Sequence, residues 1–164
     1  MLLKDILNGK GHDVYAIVST ASCYEAVAEM VRCRVGALLV RDGAQGPLLG
    51  IITERDILHA LAEHRGAFES LPIAAIMSED PVVAQPDDHV MVAMRLMTTR
   101  RIRHLPVVLD DEVQGVVSIG DIVKSHHDEL EFENHYMRTY IHGDAVGSGR
   151  TMNEDVPTNA REGR

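Results

Sequence analysis

The stretch that decides the fold is Gly115-Val116-Val117-Ser118-Ile119-Gly120-Asp121, an apolar strand end running into a helix start. Sixty-five positions earlier the chain reads Gly50-Ile51-Ile52-Thr53-Glu54-Arg55-Asp56, with glycine, two branched apolar residues, a hydroxyl residue and an aspartate in the same places. Such an echo identifies two copies of one supersecondary unit. The copies also agree upstream: Ala26 aligns with Ala93, Met30 with Met97, Val35 with Ile102 and Val40 with Val107, all at an offset of 67. The drop from 67 to 65 assigns two extra residues to the hairpin turn of the first copy, where insertions are tolerated.

Working outward, each copy reads strand, helix, strand, strand, helix. In the first, residues 14–18 form a strand and Ser19-Thr20 supplies the N-cap of a helix with Ala26, Val27, Met30 and Val31 on its apolar face. Strands over 35–40 and 48–52 flank a turn at 42–47, and a helix runs from Thr53 to about Arg65. In the second, 81–84 is the strand, Pro86-Asp87 the turn and cap, and Val90, Ala93, Met94 and Met97 the helix stripe. Strands 105–109 and 113–118 enclose Asp110-Asp111-Glu112, and a long last helix reaches Ile141. A short helix over 2–7 opens the chain, and a connector with a helical piece at 73–77 joins the copies. This divides the chain into 1–77, holding the opening helix and first repeat, 78–143, holding the second repeat and long C-terminal helix, and a tail over 144–164. That tail is rich in Gly, Asn, Thr and charge, with little to bury, and is expected to be flexible. The fold class is α/β.

With 164 residues, 45% hydrophobic but only 4% aromatic and no tryptophan, the core must be built from Val, Ile, Leu, Ala and eight Met. The formal charge of −9 excludes a nucleic-acid backbone as the main partner, because that binding rests on Lys and Arg displacing counterions. Cys23 and Cys33 lie ten apart in one helix, matching neither a CxxC pair nor a zinc set, and read as reduced thiols. The N-terminus is too short and charged for a signal peptide, and no apolar run approaches the roughly 18 residues of a membrane span. A cytoplasmic protein without a membrane partner is expected.

Ser/Thr followed three residues later by an acidic side chain is a helix capping box, a purely structural device. The same helix N-terminus nevertheless presents free N–H groups and a positive dipole end to a phosphate, and an aspartate can accept both hydroxyls of a ribose. Of the basic cluster Arg95, Arg100, Arg101, Arg103 and His104, the first three read as a solvated face. Arg103 and His104 stand at the entry to a buried strand, where a guanidinium can grip phosphate. His126-His127-Asp128-Glu129 offers adjacent histidines about 100° apart on a helix, poorly placed to share a metal ion. Met30, Met91, Met94 and Met97 read as core filler. No GxxxxGK, GxSxG, HExxH or CxxC occurs, so no catalytic residue is assigned and no enzyme is expected.

Residues 50–56 and 115–121, with Arg101-Ile102-Arg103-His104-Leu105-Pro106-Val107-Val108 and the doubled element order, resemble a tandem pair of cystathionine-β-synthase (CBS) domains, or Bateman module, of the bacterial stand-alone type. The resemblance implies two β-α-β-β-α repeats packed about a pseudo-twofold axis. It also implies two clefts binding adenosine-containing ligands such as AMP, ADP, ATP, NAD(H) or S-adenosylmethionine, with AMP or ATP preferred. One cleft would join Thr53 and Asp56 with Arg103 and His104. The other would join Ser118 and Asp121 with Thr20, Gly36 and Ala37, with more room but less positive charge. The implied function is a non-enzymatic regulatory module, a homodimer signalling to a protein target, with no required cofactor or metal. Leu58, Leu61, Ile122 and Val123 are candidates for the dimer interface. A ligand-free interaction scaffold is the alternative, and a nucleotide-acting enzyme a more distant one.

Overall fold

A computed structural model of the chain describes residues 1–43, 46–64 and 66–143, the side chains at 133–135 and 138–143 apart. The expected tail lies outside the described residues. The chain divides into two units, Met1–Ser125 and His126–Arg164. The first begins with α1 (Leu3–Lys10), β1 (Ala16–Val18), α2 (Cys23–Cys33), β2 (Ala37–Arg41), β3 (Leu48–Thr53) and α3 (Glu54–Glu63). After two 3-10 turns, Phe68–Ser70 and Ile73–Ala75, come β4 (Ser78–Glu79), α4 (Val90–Arg100), β5 (His104–Leu109), β6 (Glu112–Ser118) and α5 (Ile119–Gly143), which continues into the second unit. This is the α/β architecture of two β-α-β-β-α repeats with a long C-terminal helix.

The repeats match in geometry as well as in order. Arg34 and Arg101, 67 apart, both end their helices in the left-handed conformation at φ 55°, and the next amides, Val35 and Ile102, each return to the carbonyl of a core methionine, Met30 or Met97, at 3.0 Å. β1 runs parallel to β2 with Ile17 opposite Val40. Residues 81–84, expected to be the corresponding strand, reduce to a single parallel bridge between Ala84 and Val107, in the same register. Pro81 and Pro86 bracket this stretch, and proline cannot donate to a ladder. The hairpins β2–β3 and β5–β6 are both antiparallel, the second closed by Asp110 and Asp111 alone, both at positive φ.

Two helix starts fall later than the sequence reading places them. Ala21 N–H bonds to the Val18 carbonyl, so Ser19 and Thr20 are spent in a turn and Ser22 is the N-cap. Its hydroxyl accepts the Glu25 N–H, while Glu25 accepts the Ser22 N–H at 2.7 Å. In the second repeat His89, not Pro86-Asp87, caps α4. Val31 is 72% exposed rather than on the core face, and Met91 is also exposed, whereas Met30 and Met97 are buried. Ile122 belongs to the core and not to an outer face, but Leu58, Leu61 and Val123 are exposed.

The core consists of two clusters, and each draws on the segment leading into the other repeat. Leu3, Ile6 and Leu7 of α1 pack with Val90, Ala93, Met97, Leu105, Val107, Val117 and Ile122 of the second repeat. Reciprocally, Ile73 packs with Cys23, Ala26, Met30, Leu38, Val40, Ile52 and Ile57 of the first, joined by Phe68, Leu71, Ile76 and Met77. Strand alternation then explains the motif. Ile52 and Val117 point into the clusters, while Ile51, Thr53, Val116 and Ser118 take the opposite face. Gly50 and Gly115 share the core-facing parity, and there the lead-in segment comes so close that a Cβ would not fit: it would lie 2.6 Å from the Ser78 carbonyl oxygen at Gly50 and 2.6 Å from Leu7 Cδ2 at Gly115.

Gly115→Ala should destabilise the protein by about 1–3 kcal/mol through overpacking. In a Leu7→Ala background most of that cost should vanish, as read by urea unfolding; an undiminished cost would show that the close approach is not the reason for the glycine.

Candidate functional site

Each Ser/Thr-x-x-Asp motif closes a capping box that leaves chemistry to spare. Asp56 accepts the Thr53 N–H at 2.8 Å and the Thr53 hydroxyl at 2.7 Å, both on Oδ2. Asp121 likewise accepts the Ser118 N–H at 2.7 Å and hydroxyl at 2.8 Å on Oδ2. In neither aspartate does Oδ1 accept a hydrogen bond from the described residues. The cap therefore fixes the carboxylate and leaves one oxygen for a hydroxyl from outside.

Both aspartates open onto clefts formed across the repeats. A cleft of about 430 Å³ brings Thr53 and Asp56 together with Arg103 and His104, and a second of about 340 Å³ brings Ser118 and Asp121 together with Gly36 and Ala37. Both volumes lie in the range of small-molecule sites, roughly 300–1,000 Å³. Thr20, exposed in the turn after β1, lines neither. His104 and Gly36 line both clefts. A Cβ on Gly36 would lie 3.2 Å from the Glu54 carboxylate, so the bare backbone there leaves room for that side chain.

Several lining residues carry no motif. Arg100 and Arg101, read from sequence as solvated, line the larger cleft, where Arg55 Nη1 also donates to the Arg101 carbonyl at 3.4 Å. Residues 78–82 line the larger cleft, and Lys10, Gly11, Asp13 and Tyr15 the smaller. The signal was present, since the offset of 67 sets Tyr15 opposite Val82. Lys10 and Arg34 line the Asp121 cleft, against Arg55, Arg100, Arg101 and Arg103 in the other, and it is the smaller of the two rather than the roomier. Lys10 Nζ lies 2.7 Å from Asp121 Oδ2.

Electrostatics follow this layout. Burial opposes ionisation of Asp121, but the Lys10 ammonium and the Ser118 N–H and O–H outweigh it and hold the carboxyl below its ordinary value. Burial pushes the His104 imidazole down; Glu54 and Asp121 work in the opposite direction, while Lys10 and Arg103 reinforce the lowering. In the second unit, His127, Asp128 and Glu131, all exposed, bring ligand atoms within 4.8 Å of one another. Cys23 is buried and Cys33 half-buried, both as free thiols. Among the described residues no helix is long and apolar enough to cross a membrane.

The CBS-domain model matches this chain twice, over residues 3–63 and 73–128. The chain belongs to the CBS-domain family. It is 36% identical over 147 residues to the mitochondrial CBS domain-containing protein CBSX3 of Arabidopsis thaliana, covering 83% of this chain and 71% of that protein. The crystal structure of the CBS-domain protein ATU1752 from Agrobacterium tumefaciens superposes with a TM-score of 0.74 at 35% identity, covering 77% of this chain and 99% of that one. The CBS pair of the protein MJ0100, solved in complex with 5′-methylthioadenosine and S-adenosyl-L-methionine, superposes with a TM-score of 0.66 at 30% identity, covering 79% and 98%. Adenosine compounds are thus bound by a CBS pair of similar fold.

The lowered folded-state pKa of His104 sets a sign. The unfolded chain takes up this proton first as pH falls, so the stability contributed by the half-buried neutral ring is whole above the ordinary value of 6.5 and declines below it. His104→Gln should flatten the fall in stability below pH 6.5 in urea titrations. An unchanged slope would place this ring outside the acid-sensitive set.

Proposed function

We propose that the protein is a non-enzymatic regulatory module that binds an adenosine-containing ligand in its two inter-repeat clefts and passes the occupancy on to a protein target. The observation that carries this reading is the pair of cap-fixed aspartates, each with an Oδ1 that accepts no hydrogen bond from the described residues, in a cleft of ligand size. A ribose supplies two adjacent hydroxyls to such a carboxylate, and each hydrogen bond to a charged acceptor contributes about 1.5–3 kcal/mol. Tyr15 in one cleft and Val82 in the other offer apolar surface for a purine. Arg100, Arg101 and Arg103 of the larger cleft equip it for a phosphate, which favours AMP or ATP there.

Occupancy is communicated because both clefts are built from both repeats. A ligand that prefers one arrangement of the repeats shifts the population toward it, by a coupling free energy of about 1–3 kcal/mol. The exposed Leu58, Leu61 and Val123 fit a homodimer interface on the helices that follow the two motifs.

Isothermal titration of protein stripped of co-purified ligand with AMP, ATP, NADH and S-adenosylmethionine tests the reading. Heat is expected with at least one, and Asp56→Ala and Asp121→Ala should each weaken binding at their own cleft by about tenfold or more. Silence with all four ligands would sink the sensor and favour a ligand-free scaffold. Unchanged affinity in the double variant would move the site elsewhere. For the dimer, Leu58→Glu combined with Val123→Glu should lower the sedimenting mass to that of a monomer; an unaltered mass would exclude this interface.

A further inference from the structure

The two clefts differ in the charge that their lead-in segments bring. Three residues after Leu7, which packs on Gly115, comes Lys10; three residues after Met77, which packs on Gly50, comes Asp80. Lys10 and Asp13 line the Asp121 cleft, whereas the lead-in segment of the Asp56 cleft brings Glu79 and Asp80 and no cation. The aspartates differ accordingly. Among the described residues, Asp56 Oδ2 holds only its two cap donors, whereas Asp121 Oδ2 holds the equivalent two and the Lys10 ammonium at 2.7 Å.

Lys10 is not a rigid part of the cap. It is the last residue of α1, where a cation is favoured by the helix dipole, and the chain turns away at Gly11 with φ 101°. Its side chain remains 35% exposed, and four methylenes allow it to leave the carboxylate without disturbing Leu3, Ile6 and Leu7. A diol that engages both oxygens of Asp121 competes with Lys10 for Oδ2. A neutral nucleoside displaces the ammonium and offers it no new partner. A nucleoside phosphate brings its own anion, to which the released ammonium can turn.

We infer that Lys10 is the specificity-determining residue of the Asp121 cleft, a latch that exchanges Asp121 for the phosphate of an incoming nucleotide and so selects phosphorylated adenosine over adenosine. The inference rests on the proposed nucleotide reading. The cap geometry alone selects for a sugar; the latch adds discrimination by charge. The ion pair also ties the cleft to α1, so ligand entry at Asp121 releases a contact between the lead-in helix of the first repeat and the motif of the second.

The test titrates AMP and adenosine into full-length protein carrying Asp56→Asn, so that the other cleft is weakened. With Lys10 present, AMP should bind at least about tenfold more tightly than adenosine. Lys10→Met should bring the two affinities within about threefold of each other, by weakening AMP and leaving adenosine equal or tighter. Lys10→Arg should keep the preference, and thermal melts confirm that each variant is folded. An AMP-to-adenosine ratio that stays the same in Lys10→Met overturns the latch while leaving the nucleotide reading intact. Failure of both ligands to bind the Lys10-containing protein overturns the nucleotide reading of this cleft, and the latch with it.

Discussion

The structure depends on a close approach between each lead-in segment and one glycine. Leu7 of α1 covers Gly115 in β6, and Met77 and Ser78 cover Gly50 in β3, at separations that leave no space for a Cβ. Each segment precedes one repeat in the chain but fills the core of the other. This reciprocity holds the repeats together by burial of apolar surface rather than by surface ion pairs, and no buried polar or charged residue occurs among the described residues. It also dictates the motif. In a pleated strand, a glycine on the core face two residues before the buried Ile52 or Val117 places Ile51 and Thr53, or Val116 and Ser118, on the opposite face, where the clefts open.

The same exchange makes the clefts composite. Asp56 faces Arg103 and His104 of the second repeat, and Asp121 faces Gly36 and Ala37 of the first together with Lys10 from α1. Neither cleft exists within a single repeat, so the shape of each depends on how the repeats pack. His104 sits at the centre of this arrangement, lining both clefts, and its neutral form is favoured by burial. The duplicated backbone therefore carries two chemically distinct clefts, one with three arginines from the end of α4 and the turn before β5, the other with a lysine paired with its aspartate.

Much of this was legible in residue order, because local interactions leave local patterns. The repeat, the offset of 67 and its drop to 65, the hairpins and both capping boxes after β3 and β6 depend on near neighbours and on periodicity. The missed helix start was equally local: Ser22 and Glu25 form a box three residues apart that reads as plainly as the one at Thr53. The fate of 81–84 is legible too, since Pro81 and Pro86 leave room for only one bridge. Burial of Ile122 and exposure of Val31 and Met91 depend on where neighbouring elements end, and apolar identity alone does not report that.

What residue order could not express was which distant groups meet. Lys10 and Asp121 are 111 positions apart, and their pairing follows from α1 crossing to the second repeat, a choice made by the fit of Leu3, Ile6 and Leu7 into that core. The enlistment of Arg100 and Arg101 into a cleft, the sharing of His104 and the exclusion of Thr20 arise in the same way. Sequence by itself settled the duplicated unit and the two aspartates, since these are written in short-range pattern. The tertiary fold alone settled the electrostatic partners of those aspartates, because charge acts through space and the chain crosses between repeats to bring it there.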